Sequence, residues 1–132
     1  MRRESIASLL ATALFLSACA QMPAEPAPPV GLTDIAERPA EKALLSGIRA
    51  YDDGHYPDAE KQLKSALKLN LSSPKDRASA NKYLAFIYCT SNRHSECEAS
   101  FRAAMQADPA FALTKSEAGH PLWGPVYKRV HP

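Results

Sequence analysis

The chain has 132 residues, with 16 Lys and Arg, 14 Asp and Glu, and 4 His, so its formal net charge is +2. This charge balance excludes the strongly basic surface of a nucleic-acid-binding protein, and no nucleic-acid partner is expected. The length allows one small domain besides any targeting segment.

An apolar run at residues 6–16 follows a short basic stretch. Its length is too small for a bilayer span, which takes about 20 residues, but it suits the apolar part of a signal peptide. The run ends at Leu16-Ser17-Ala18-Cys19, which resembles the lipobox of bacterial lipoproteins. The resemblance implies a signal peptide at residues 1–18, cleavage before Cys19 and acylation of Cys19. The alternative is an ordinary secretory signal with a chance cysteine.

Several acyl chains on Cys19 would hold the protein firmly on a membrane. The next residue is Ala20 rather than Asp, which resembles the default sorting of Gram-negative lipoproteins. The resemblance therefore predicts an outer-membrane anchor with the protein on the periplasmic face. Removing residues 1–18 leaves 14 basic and 13 acidic side chains, a net charge near +1.

Residues 19–39 are rich in proline, with Pro23, Pro26, Pro28, Pro29 and Pro39. Such a segment has little to pack and predicts a lipidated linker with polyproline character. Twenty such residues reach about 60 Å at ~3.1 Å each. A proline-rich ligand for another domain is the alternative, which is disfavoured because no PxxP register with basic flanks is present.

Residues 40–132 form the predicted helical domain, in which a pattern recurs at an offset of 38 residues. Small residues recur where two helices must touch closely, and large apolar residues recur at helical spacing. The matched pairs are Gly47 and Ala85, Tyr56 and His94, Ala59 and Cys97, Leu63 and Phe101, Ala66 and Ala104, and Leu67 and Met105.

This pattern resembles the tetratricopeptide repeat, a helix-turn-helix unit of about 34 residues. The resemblance implies that Gly47 packs on Ala59 and Ala85 on Cys97. Leu71 stands where that family often has proline, and four extra residues fall between the repeats. We expect an all-α fold with two such repeats and a C-terminal capping helix, arranged as an α-α superhelix.

Helices are predicted at about residues 41–52, 57–69, 74–89 and 96–107, from their end signals. Gly54 ends the first helix, Pro57 opens the second, Ser73 caps the third and Pro109 follows the fourth. The remaining tail carries the only tryptophan and is not a third repeat.

A short final helix starting near Pro121 or Pro125 is predicted in this tail. Its apolar face consists of Trp123, Val126, Tyr127 and Val130. We expect it to cover the exposed side of the fourth helix, because the end of a solenoid must be covered; a binding site is the alternative. The tail supplies the third layer that two repeats lack, so the domain should be a monomer of marginal stability, unless a partner completes it.

The segments KYLAFIYC, residues 82–89, and EAGHPLWGPV, residues 117–126, resemble the TssQ family of lipoproteins associated with type VI secretion systems. The resemblance covers about residues 40–130 and implies an accessory, protein-binding role in the periplasm, with an envelope or secretion-system protein as partner. The alternative is an assembly lipoprotein of another envelope machine, such as a pilus or an outer-membrane insertion complex. A purely structural role in the envelope also stays open.

No catalytic role or cofactor is expected. The sequence has no HExxH, no GxSxG and no glycine-rich phosphate loop. Cys89, His94 and Cys97 lie close in sequence, but no fourth ligand is evident, so a metal site is not expected either.

Cys89 and Cys97 are instead predicted to form a disulfide. They end one helix and begin the next, and the expected compartment is oxidising. Two small buried thiols are the alternative.

The tetratricopeptide resemblance implies that the first helix of each repeat lines a concave face. An exposed apolar groove usually marks a contact site, so we expect this face to bind a partner. Counted from Gly47 and Ala85, the residues expected there are Leu44, Ile48, Tyr51, Lys82 and Phe86. The alternative is that the tail folds back and fills this groove with Leu122 or Trp123.

Overall fold

The computed structural model describes residues 38–131, and this range contains six helices and no strand. The helices are α1 (Pro39–Asp52), α2 (Tyr56–Lys68), α3 (Pro74–Thr90), α4 (His94–Ala107), α5 (Lys115–Ala118) and α6 (Gly124–Val130). Cys19, the expected signal peptide and nearly all of the expected linker lie outside the described residues. Between residues 38 and 131, no helix combines the length and the apolar character that crossing a bilayer requires.

The fold is all-α and consists of two helical hairpins with a C-terminal cap, as the sequence predicts. α1 packs along α2, and α3 packs along α4, to a similar extent. α2 and α3 join the two hairpins through a smaller contact, and α6 covers α4.

The turns of the two hairpins repeat the 38-residue offset in their backbone geometry. Gly54 and Asn92 occupy matched positions, and both have positive φ, 77° and 59° respectively. The amide that follows each of them closes the turn onto the preceding helix. The matched hydrogen bonds run from His55 N–H to Ala50 C=O and from Arg93 N–H to Tyr88 C=O, each 2.8 Å.

The residues matched by the repeat also form the centre of the core. Ala59 and Cys97, Leu63 and Phe101, and Ala66 and Ala104 are fully buried. α1 comes very close to α2 at Gly47, where an added Cβ would lie 2.8 Å from Cγ of Leu63. A side chain at Gly47 would thus meet Leu63 first, which lies one turn beyond the Ala59 that the tetratricopeptide resemblance implies.

A cluster of charged side chains joins the two hairpins on the side of the hairpin turns. The Glu60 carboxylate accepts hydrogen bonds from Lys64 at 2.6 Å and from Arg93 at 2.8 Å. The Arg93 guanidinium also lies 4.2 Å from the centre of the Tyr88 ring. Burial would raise the pKa of Glu60, but these hydrogen bonds outweigh burial and lower it. The carboxylate therefore stays charged and links α2 to the turn between α3 and α4.

The extra residues between the repeats form a closed loop with its own anchor. Leu71 is buried in the core. The Arg77 guanidinium donates to the carbonyls of Leu71, at 2.7 Å, and Ser72, at 2.9 Å. Ser73 then caps α3 by accepting from the Asp76 amide at 3.3 Å, as its sequence predicts.

The observed helix ends lie within two residues of the predicted ones, and α5 is the element that the sequence analysis misses. α5 has only four residues, too few for a periodic signal. It is held by a capping box, in which Thr114 Oγ1 accepts from the Glu117 amide at 3.2 Å and Glu117 Oε2 accepts from the Thr114 amide at 2.9 Å.

Candidate functional site: the concave face

The five residues predicted to bind a partner lie together, but only part of the group is accessible. The Tyr51 ring of α1 lies 6.3 Å from the Phe86 ring of α3, and Lys82 Nζ lies 5.6 Å from that same ring. Ile48, Tyr51 and Lys82 are partly buried. Leu44 and Phe86 are only 5% and 3% exposed, so neither offers a surface to a partner in this structure.

Phe86 is covered by the tail of the same chain. The Trp123 ring stacks on the Phe86 ring with centres 4.2 Å apart, and the His120 ring stacks on the other side of Trp123 at 3.3 Å. Trp123 Nε1 donates to the Glu117 carbonyl at 2.9 Å. Leu122 points outward and is 52% exposed. The α3 side of the groove is therefore filled by Trp123, which corrects the expectation of an open groove there.

Lys82 is used inside the fold rather than left as a cation at the edge of the groove. Its Nζ lies 2.6 Å from Glu117 Oε1, and both side chains are mostly buried. Burial would raise the pKa of Glu117, but the hydrogen bonds from Lys82 and from the Thr114 amide lower it. This ion pair fastens the tail to α3 beside the Trp123 contact.

The α1 side of the groove remains partly open and is rich in tyrosine. The Tyr51 ring lies 5.0 Å from the Tyr83 ring and 5.5 Å from the Tyr56 ring, centre to centre. Tyr51 and Tyr83 are partly buried, and Tyr56 is 45% exposed. We call Ile48, Tyr51, Tyr56 and Tyr83 the tyrosine face.

Sequence reasoning missed Tyr56 and Tyr83 as members of this face. Tyr83 lies three residues before Phe86, so the helical period of α3 already places the two on one side. Tyr56 opens α2, and only the packing of the first hairpin brings its ring to Tyr51.

The tyrosine face combines aromatic rings with polar hydroxyl groups, and Tyr51 at its centre is held uncharged. Burial, with the nearby Tyr56, Tyr83, Asp52 and Glu117, raises the pKa of Tyr51 to about 12. A protonated hydroxyl both donates and accepts hydrogen bonds, while its ring supplies apolar contact area. Such a surface suits an uncharged, partly apolar segment of a partner.

The cysteines of the second hairpin turn are paired. Cys89 and Cys97 are joined by a disulfide, with Cα atoms 5.2 Å apart, and both side chains are buried. Among the residues that the structure describes, no group of three or more His, Cys, Asp or Glu side chains is placed to hold a metal ion. The role of this pair in the structure is to close the α3–α4 turn.

A second concavity lies on the opposite hairpin, between α4, the segment after it and α6. It has a volume of about 530 Å³. Met105, Pro109, Phe111 and Val130 supply its apolar lining, and Arg102 also lines it. No residue of α1, α2 or α3 contributes to it, so it is separate from the tyrosine face.

Comparison with known proteins does not assign a function to either surface. A scan against protein-family models finds no matching family, and searches of curated proteins and of solved structures find no match. Of the two surfaces, the tyrosine face lies where the repeat pattern places the concave side, and it contains two of the residues expected there, Ile48 and Tyr51.

Proposed function

We propose that this protein is a lipid-anchored interaction module of the bacterial envelope, and that its tyrosine face binds a protein partner. The anchor is acylated Cys19 in the outer membrane, with the helical domain in the periplasm. The machine it serves is a type VI secretion system, in which it is an accessory protein without catalytic activity. The domain acts as a monomer.

The observation that carries the proposal is the half-open row of tyrosines on a braced scaffold. Tyr51 and Tyr83 stand 5.0 Å apart at the junction of the hairpins, with Tyr56 exposed beside them. Tyrosine is enriched where proteins bind one another, because its rigid ring offers a large contact area at a small entropic cost. Trp123 fills the neighbouring α3 side of the groove, so the open surface is limited to the α1 side.

The link to type VI secretion rests on the resemblance of residues 82–89 and 117–126 to the TssQ family. In the structure these segments include Lys82, Phe86, Glu117 and Trp123, which contact one another and hold the tail against α3. A family that shares them would share the plugged groove, and hence a binding surface restricted to the α1 side.

Replacing Tyr51 and Tyr56 by Ala tests the partner surface. We expect at least about a tenfold loss of co-purified envelope protein from membranes of the producing bacterium, since truncated aromatic anchors cost the most at interfaces. The matched control replaces Leu45 and Leu69 by Ala. Their side chains are 50% and 46% exposed and lie outside the tyrosine face. Equal capture by both variants would contradict the proposal, and Tyr56→Ala alone serves if the double variant unfolds. The identity of the captured protein distinguishes a secretion system from a pilus or an insertion complex.

The anchor is tested separately by intact mass and by fractionation. The mature protein should begin at an acylated Cys19 and sediment with outer membranes, and Cys19→Ser should release or mislocalise it. An unmodified amino terminus, or cleavage at another residue, would rule the anchor out.

A further inference from the structure

The second concavity, between α4, the segment after it and α6, has no part in the tyrosine face. Its volume of about 530 Å³ falls within the range of clefts that bind small molecules, roughly 300–1,000 Å³. α4 contributes Met105 to its lining, the following segment contributes Pro109 and Phe111, and α6 contributes Val130. The Phe111 ring packs edge-on against the buried Tyr127 ring, with centres 6.3 Å apart. Such a lining suits an apolar group.

The segment that lines the concavity offers no backbone donor to a peptide strand. Pro109 has no N–H group. The Ala110 amide donates to the Asp108 carboxylate at 3.0 Å, and the Phe111 amide donates to the Asp108 carbonyl at 2.9 Å. An extended peptide buried here would leave its carbonyls without donors, which costs free energy. An alkyl chain needs no donor, so the concavity suits a hydrocarbon chain better than a peptide strand.

The charged side chains beside the concavity favour an anion. Arg102 lines it, and none of its lining residues in the described part of the chain is a carboxylate. The Glu98 carboxylate is shared by two guanidiniums, since Oε2 accepts from Arg102 at 3.2 Å and Oε1 from Arg129 Nε at 3.1 Å. These hydrogen bonds, led by that of Arg129, lower the pKa of Glu98, which stays charged. One negative charge against two positive ones leaves an excess positive charge on two guanidiniums that are more than half exposed.

We infer that the second concavity binds the carboxylate form of a long-chain fatty acid, with its alkyl chain on the apolar lining and its carboxylate on Arg102. A guanidinium has five N–H donors and pairs with a carboxylate through two parallel hydrogen bonds, so Arg102 has donors beyond the one that Glu98 accepts. The alkyl chain supplies most of the affinity, because an ion pair with an exposed cation is weak. This site shares no residue with the tyrosine face and does not depend on the proposed partner binding.

The test titrates dodecanoate, below its micelle concentration, into the processed chain, residues 19–132, carrying Cys19→Ser. This chain has two methionines, Met22 and Met105, so a Met105→Leu variant identifies the methyl signal of Met105 by NMR. We expect that signal to shift and to saturate at one ligand per chain, while the methyl signal of Ile48 in the tyrosine face stays in place. Octanoate should bind at least about tenfold more weakly, since each buried methylene is worth about fourfold in affinity.

The anion preference is tested with dodecyltrimethylammonium, which has the same alkyl length and the opposite charge, and with Arg102→Gln. The parent should bind dodecanoate more tightly than the cation. Arg102→Gln should weaken dodecanoate about threefold to fivefold, the upper range for an exposed ion pair, and should not weaken the cation. Arg49→Gln on α1 is the matched control and should change neither affinity, because Arg49 is also exposed but does not line the concavity.

Absence of saturable binding would overturn the proposal, as would shifts at Ile48 without shifts at Met105. Equal affinity of the parent for dodecanoate and for dodecyltrimethylammonium would reject the anion. A Met105 signal that changes on tenfold dilution without ligand would show that a second copy occupies the concavity. Tighter binding of a short peptide of alternating leucine and aspartate would assign it to a peptide, and either result would overturn the fatty acid as occupant. These measurements involve no envelope protein, so they fail or succeed independently of the co-purification test.

Discussion

The two hairpins have matched turns and matched buried residues, but they are braced very differently. The α3–α4 hairpin has a disulfide across its turn and a tail packed on both of its helices, with Trp123 on Phe86 and the Tyr127 ring 5.4 Å from Phe101. The α1–α2 hairpin has neither device, and it carries exposed Leu45 and Leu69.

The difference shows that a sequence repeat does not make its copies equivalent. The first hairpin packs internally about as extensively as the second, so the difference does not lie within the helix pairs. The hairpins differ in what the rest of the chain adds: the C-terminal tail covers the second hairpin and not the first. The braced hairpin supplies a rigid support, and the tyrosine face lies at its junction with the less braced one.

The largest expected effect on stability comes from removing the Trp123 side chain, which fills the α3 side of the groove. Trp123→Ala should destabilise the domain by about 3–5 kcal/mol, since it empties the space over Phe86 and removes the Nε1 hydrogen bond. Chemical unfolding followed by circular dichroism measures it. Leu122→Ala is the neighbouring control, with a change within about 0.5 kcal/mol because Leu122 is exposed. Similar losses for both variants would mean that the tail does not brace the second hairpin.

Removing the disulfide should make the two hairpin turns more alike. Replacing both Cys89 and Cys97 by Ala should cost about 2.5 kcal/mol, the loop entropy of a closed segment this short. The measurement is the unfolding midpoint with and without reductant, which should differ for the parent and not for the variant. Alkylation of the folded, periplasmically produced protein without reductant provides an independent check. Two reactive thiols in that experiment would refute the bond.

The Lys82–Glu117 pair should make the bracing depend on pH. The pKa of Glu117 is lowered from its ordinary 4.5 in the folded protein, so its contribution is present above about pH 4.5 and is lost as the pH falls through the folded value. Glu117→Gln should cost about 1.5 kcal/mol at pH 7, and the gap to the parent should narrow in acid. Glu41→Gln on α1 is the control. A gap that stays constant down to pH 3 would contradict the assignment.

The smallest expected effects concern the two matched turns. Gly54→Ala should cost about 1 kcal/mol, because its φ of 77° is unfavourable for a residue with a side chain even though nothing crowds the site. Asn92→Gly should be neutral or stabilising by a few tenths of a kcal/mol, since Asn already tolerates this region. Thermal melts of both variants measure the two changes in stability. Equal changes for the two substitutions would show that the turns are not equivalent.

The sequence analysis predicted the four long helices because small and large apolar residues recur at helical spacing in the two repeats and because the helices have clear end signals, such as Ser73 before α3. It placed Ile48 and Tyr51 on the concave side by the same period. It did not predict the burial of Leu44, which depends on the packing of the first hairpin, or the internal use of Lys82, which depends on a carboxylate 35 residues away.

The segment EAGHPLWGPV is explained largely as a folding motif. Glu117 pairs with Lys82, His120 stacks on Trp123, and Trp123 fills the groove. Gly124 has no room for a side chain, because a Cβ would meet the Ala118 carbonyl. Its unusual residues thus have structural roles that a short motif does not reveal by itself.

Local signals determined the elements of this protein: the helical period, the caps, the 38-residue repeat and the proline-rich stretch are all properties of neighbouring residues. The tertiary structure alone decided which side of the groove is open. Trp123 and Leu122 are adjacent in the chain and similar in hydrophobicity, yet one is buried on Phe86 and the other is exposed. That choice depends on the direction in which the tail returns across α3, and direction is set by contacts between residues far apart in sequence.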